Sequence, residues 1–201
     1  MRWAAAAPER RAAVYIDQSW FVLWPRVAET WARQRRPLRL PKAKSWGRTE
    51  RPPSCGLYAD MDARTRQVRG EWHQTWNQRE TWQHLKGVMR RYAGQGVRAL
   101  VILWDNAPWH VAAWVHRLVT RYNRWAKRRG HLRVLLFALP RRAPWLMPLE
   151  AVFRQTKRAV GPLHHASLAT LRRAVERRLE RRNAWVDQQR RTHRSHSLLS
   201  A

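Results

Sequence analysis

The apolar positions of this chain fall into short blocks, some alternating with polar residues and some spaced as on one face of a helix. The block "RAAVYIDQSWFVLW", Arg11 to Trp24, is rich in β-branched and aromatic residues and predicts a buried strand running toward Pro25. A polar, Pro- and Arg-rich stretch from Arg35 to Pro53 predicts a loop. "SCGLYADMDARTRQVRGEWHQTW" then predicts two strands joined by a turn around Asp62 to Thr65, alternating through Val68, Gly70 and Trp72.

From Asn77 the period changes from two to between three and four. Asn77 is placed to cap a helix carrying Trp82, Leu85, Val88, Met89 and Tyr92, with Gly94 and Gly96 at its end. "RALVILW" predicts a second buried strand. Helical spacing returns at Trp114, Val115, Leu118, Val119, Tyr122 and Trp125 and stops at Gly130. "LRVLLFALP" has strand length, Pro148 opens a further helix, and Leu168, Leu171, Val175 and Leu179 form the apolar side of a last one. The tail from about Trp185 is polar, and its composition predicts disorder.

The pattern describes an α/β chain with an antiparallel hairpin near its start. A length of 201 residues suits one core, so we expect one domain over residues 11–182, an N-terminal extension at 1–10, and a disordered basic tail at 183–201.

Charge changes this picture. With 41 Lys+Arg against 13 Asp+Glu, the formal net charge is +28. Such an excess predicts a polyanionic partner, and nucleic acid fits best, because neutralising phosphates releases condensed counterions. An anionic membrane fits less well: no apolar run reaches the roughly 18 residues of a spanning helix, and the Arg residues are spread along the whole chain. One cysteine, Cys55, excludes an internal disulfide and argues against a Cys-based zinc site. No signal-peptide pattern opens the sequence, so a cytoplasmic protein is expected.

Against that charge, three acids stand out by position. Asp17 interrupts a buried strand, Asp105 ends one, and Glu150 sits in the first turn of a helix that follows a strand and a Pro-rich turn. Singly, each has an ordinary explanation as a turn residue, a cap or a partner of the helix dipole. Together they suit a shared site, since hard oxygen ligands from strand ends and a helix hold divalent cations in phosphoryl-transfer enzymes.

The local motifs carry a family resemblance. "YIDQSWF" (Tyr15 to Phe21), "VILWDNAPWH" (Val101 to His110) and "LPRRAPWLMPLEAVFRQTK" (Leu139 to Lys157) resemble, in order, the three catalytic blocks of the DDE transposases of the mariner superfamily, most of all its bacterial insertion-sequence branch. Asp105, Asn106, Ala107 and His110 match the second block. Leu139, Pro140, Pro144, Leu146, Pro148, Glu150 and Lys157 match the third. Gln18, Met147 and Phe153 depart from the pattern, and the interval from Asp105 to Glu150 is longer than is typical.

The resemblance implies an RNase H-like fold, a central mixed sheet flanked by helices. It also implies Asp17, Asp105 and Glu150 as catalytic metal ligands for two Mg²⁺ or Mn²⁺ ions, cutting and joining DNA at element ends and target. Asn106, His110 and Lys157 become DNA-binding or accessory residues. His110 has three open roles: phosphate contact, orientation of a ligand, or a cap for the next helix. Lys157, two turns beyond Glu150 on the same face, either reaches the scissile strand or is solvated.

A homodimer on paired ends, action near the bacterial nucleoid, and a separate N-terminal helix-turn-helix module are further implications. Only 16 residues precede Asp17, so that recognition module is expected to lie outside this chain. Two other classes stay open: a non-catalytic basic DNA-binding remnant, and a structure-selective nuclease of the same fold. Trp104, Trp114 and Trp125 have core spacing, while exposed members of the 14 Trp are candidates for base stacking.

Overall fold

The computed structural model describes residues 7, 10–23, 53–163 and 165–199; the expected connector from Arg35 lies outside these residues up to Pro53, as does Trp24. Five strands form one sheet: β1 (Arg11–Val22), β2 (Ser54–Asp62), β3 (Val68–His73), β4 (Ala99–Trp104) and β5 (Arg133–Ala138). Their order is β3-β2-β1-β4-β5. The first three are antiparallel neighbours, whereas β4 runs parallel to both β1 and β5. The sheet is mixed.

Helices α1 (Gln78–Gly94) and α2 (Ala113–Arg129) cover one face; α3 (Pro148–Val160) and α4 (Leu168–Leu199) cover the other. Strand alternation builds both cores at once. Val14, Ile16 and Tyr58 pack toward α1 and α2 with Leu85, Val88, Val115 and Val119. Phe21, Leu57, Ala59 and Met61 face α3 and α4 with Leu149, Val152, Leu171 and Val175. Fully burying each such side chain contributes roughly 1.5–3 kcal/mol.

Local chemistry accounts for the element ends. The Asn77 side chain accepts from the Glu80 amide at 2.9 Å and starts α1. Gly130, at φ +65°, ends α2 in the left-handed conformation. The β2–β3 turn closes on Asp62, whose Oδ1 accepts from the amides of Arg64 and Thr65 at 2.9 and 2.6 Å. Gly70 sits where a Cβ would come within 2.6 Å of Leu57 Cδ1, so a side chain at that point of β3 would force Leu57 to shift.

Two expectations are corrected. The tail is helical: α4 continues from Leu168 through Leu199, past the expected boundary at 182. No Gly or Pro interrupts it. Asn183 clamps β3 by accepting from the Val68 amide (3.0 Å) and donating to its carbonyl (2.7 Å), Gln67 donates to Asp187 (2.8 Å), and Val186 is buried. These contacts supply the anchoring that composition could not show. Trp125, expected in the core by spacing, is 41% exposed and stacks on His131 instead. Trp104 is fully buried and Trp114 packs against the core, as their spacing implies.

Candidate active site

Parallel pairing of β1 with β4 brings the first two acids together. Tyr15 pairs with Leu103, so two residues further along each strand Asp17 and Asp105 stand side by side. α3 packs across β1 and carries Glu150 in its first turn. Pro148 occupies the first helical turn, where its missing N–H costs nothing, and this fixes the point at which Glu150 leaves the Pro-rich segment. Asp17, Glu150 and Lys157 line one open cavity of about 360 Å³. Asp105, Asn106 and Glu150 line an adjoining one of about 500 Å³, with Arg141 and Arg142 on its wall. Glu150 belongs to both.

The electrostatics of this cleft are those of crowded carboxylates. Burial pushes the Asp17 carboxyl up to about 7; the Gln18 amide, donating at 2.7 Å, opposes this, the charges of Asp105 and Glu150 add to it, and Lys157 opposes it. Burial also acts to raise Asp105, but there the His110 hydrogen bond, the Ala107 amide and the imidazole's charge win, and its pKa is lowered. One acid of the pair is thus held ionised and the other resists ionisation. A cluster of oxygen donors short of positive charge fits divalent cations, which lower exactly such a cost on binding.

Behind Asp105 lies a layer of which the sequence marked His110, with orientation of a ligand among its open roles, but not the partners Tyr58, Trp109 and Gln18. Asp17 and Gln18 are successive residues of β1 and point to opposite faces, so Gln18 reaches the α1 side while Asp17 faces α3. There His110 is fully buried, stacked on Trp104 at 4.8 Å and 6°. Its Nδ1 donates to Asp105 Oδ1 at 2.6 Å. The Trp109 indole donates to Gln18 Oε1 (3.1 Å), which turns the Gln18 amide nitrogen toward His110 Nε2 (2.5 Å). The Tyr58 hydroxyl lies 2.8 Å from the same nitrogen and donates to Thr81 Oγ1 at 3.1 Å.

This burial removes phosphate contact from the roles open to His110: its side chain holds Asp105 from behind. Asn106 likewise turns inward, donating to the Leu139 carbonyl at 2.6 Å and tying the end of β4 to the segment that leads to Glu150. Lys157 lies near Asp17 and 5.7 Å from the Phe21 ring, in the cleft with Glu150. Of the departures from the family pattern, Met147 and Phe153 are buried apolar residues beneath the cleft, and Gln18 has become part of the His110 network. A Gln beside an Asp carried no signal of this in the sequence.

The family model described as "DDE superfamily endonuclease" matches residues 12–172. The chain belongs to that superfamily. No curated protein matches it. Among solved structures it is similar to the Mos1 transposase paired-end complex with left transposon end, at TM-score 0.61 and 17% identity, over 88% of this chain and 49% of that one. It is also similar to a pre-cleavage Mos1 transpososome, at 0.56 and 14%, over 93% and 57%. A Mos1 paired end complex with Mg matches at 0.55 and 18%, over 87% and 55%. The DDE chain therefore has the RNase H-like fold expected from its motifs, and spans about half the length of the transposase chains it matches.

Proposed function

We propose that this DDE superfamily member is a metal-dependent DNA endonuclease and strand transferase, the catalytic part of a transposase from the bacterial insertion-sequence branch. The observation that carries the reading is the convergence of Asp17, Asp105, Glu150 and Lys157 on one cleft in a chain of net charge +28. Asp17 and Asp105 would hold one Mg²⁺ or Mn²⁺ between them, and Glu150 would complete the second position. Such a pair supplies Lewis acidity to the attacking and leaving oxygens of a phosphodiester.

The chain's own residues prepare that chemistry. His110 fixes the Asp105 carboxylate so that its free oxygen faces the cleft, and Asn106 keeps the adjoining turn in place. Lys157, beside Asp17, is positioned for the phosphate that enters between the acids. Arg141 and Arg142 continue the positive wall. Trp145, 78% exposed next to this wall, offers a stacking face for an unpaired base. DNA is the partner, engaged along the backbone with little sequence preference by this chain alone. Paired ends engage a homodimer, and the catalytic unit runs from residue 11 into α4, near the bacterial nucleoid.

Incubation of the purified chain with Mn²⁺ and a duplex bearing a pre-cut 3′-hydroxyl end tests this reading. Joined product that disappears with Asp17→Ala, Asp105→Ala or Glu150→Ala is expected. Cleavage of branched DNA without joining would favour a structure-selective nuclease instead. Unchanged DNA affinity with no cleavage by the parent chain would favour a DNA-binding remnant.

A further inference from the structure

At the β3 edge of the sheet, two strands away from β1 and its Asp17, two histidines and three acids meet between β3 and α1. Glu71 and His73 are two residues apart and share the face of β3 that looks at α1; His84 projects from α1 toward them. Glu71 Oε2 lies 3.5 Å from His84 Nδ1 and 3.8 Å from His73 Nε2. Ligand atoms of the three residues all fall within 4.8 Å of one another, a closure met by no other His, Cys or acidic group among the described residues.

The outer nitrogens have their own acids. His73 Nδ1 is 2.5 Å from Glu80 Oε2, and His84 Nε2 is 3.7 Å from Asp60 Oδ1, a buried carboxylate paired with Arg91. In a chain with only 13 acids, three of them converge here on two imidazoles. His84 is 1% exposed, yet neither ring nitrogen has a hydrogen-bond partner, and neither does His73 Nε2. Leaving such groups buried and unsatisfied is costly. Gly87 completes the cradle: a Cβ there would stand 3.3 Å from Glu71 Oε1 and crowd the carboxylate.

We propose that Glu71, His73 and His84 form a site for a transition-metal ion of the Zn²⁺ class, separate from the Asp17 cleft and independent of the function proposed for it. Ligand bonds of about 2.0–2.2 Å place neighbouring donors of a tetrahedral ion roughly 3.4 Å apart, close to the separations seen here. Two of the three unsatisfied nitrogens, His73 Nε2 and His84 Nδ1, then acquire a partner. Glu80 accepts from His73 Nδ1–H and orients that ring, while Asp60 faces His84 Nε2 from 3.7 Å. Glu71 is exposed on one side, which leaves the fourth position to water. Imidazole donors select against Mg²⁺, so the two sites draw on different ions. The ion ties edge strand β3 to α1, and through the stack of His84 on Tyr58 (4.4 Å, 22°) it braces the wall behind His110.

Titration of the chelator-stripped full chain with Co²⁺, followed by visible absorption and then displacement by Zn²⁺, tests this, with Asp105→Ala as the background that disables the cleft. One Zn²⁺ per chain is expected in that background. Affinity should fall by at least about 10-fold with Glu71→Gln or His73→Gln, and by about 10–100-fold with Glu80→Gln. Glu71→Gln alters a half-exposed side chain, so the folded state can be verified by circular dichroism before titration. Absence of one-to-one binding in the Asp105→Ala chain, or equal affinity in parent and the Glu71→Gln and His73→Gln chains, would overturn the proposal.

Discussion

His110 Nδ1 lies 2.6 Å from Asp105 Oδ1, joining an imidazole with no exposed surface to a carboxylate that is 53% exposed. The buried partner fixes the exposed one. Stacking on Trp104 sets the ring plane, and the Gln18 amide leaves Nδ1 as the nitrogen that carries hydrogen. A carboxylate held in this way presents its other oxygen to the cleft without losing rotamer freedom on binding a ligand.

Substituting His110→Ala should therefore act twice. It leaves a cavity under Trp104 with unpaired Gln18 and Tyr58 polar groups, for a stability loss of about 2–4 kcal/mol. It also frees Asp105, so stabilisation by Mn²⁺ should weaken by about 10–100-fold in apparent affinity. Thermal unfolding across a Mn²⁺ series reads both effects, and an unchanged Mn²⁺ response would show that Asp105 does not depend on His110.

Asp17 predicts a pH dependence whose sign is fixed by its raised pKa. The folded chain favours the protonated acid, so this group's contribution is greatest below about 4 and is lost as pH rises to about 7. The loss is on the order of 4 kcal/mol without metal. Asp62, Glu71 and Asp105 have lowered pKa values and act in the opposite sense, at pH below their ordinary range. Urea unfolding with chelator at pH 4 to 8 should show the decline in the parent and a flatter profile in Asp17→Asn. Divalent-cation affinity should rise through pH 7, as the proton on Asp17 no longer competes.

The Asn183 clamp makes the middle of α4 part of the fold. Replacing Asn183→Ala leaves the Val68 amide and carbonyl at the β3 edge unpaired, at a cost of about 1–3 kcal/mol. Hydrogen exchange at Val68 should accelerate by the corresponding factor. Exchange at the rate of the parent would place the strength of that contact elsewhere.

At Gly70 the obstacle is steric. Gly70→Ala puts a methyl 2.6 Å from Leu57 Cδ1, and relief requires Leu57 to move within a packed core. We expect a loss of about 1–3 kcal/mol in chemical denaturation, recovered in part by Leu57→Ala in the same chain.

The elements were largely legible in the chain. Period-two blocks marked β1 to β3, helical spacing with Asn77 and Gly130 marked α1 and α2, and Pro148 marked the start of α3. Asp17, Asp105 and Glu150 were conspicuous because an acid at the end of an apolar block is rare in so basic a protein. The exposure of Trp125 was not legible, since spacing gives a helix face but not its rotation against the sheet. Nor was the length of α4, whose middle turns are held by the Gln67 side chain and the Val68 backbone of the distant β2–β3 hairpin.

By itself, then, the sequence determined the secondary structure up to the second half of α4, the excess of basic charge and the identity of the three candidate acids, because each is a property of local order and composition. Only the tertiary structure decided that β1 and β4 lie side by side with Asp17 next to Asp105, that Gln18 and His110 meet behind them, and that His73 faces His84 across 11 residues of chain. Such meetings depend on sheet register and helix rotation, which are settled by packing of both cores at once and leave no mark at any single position.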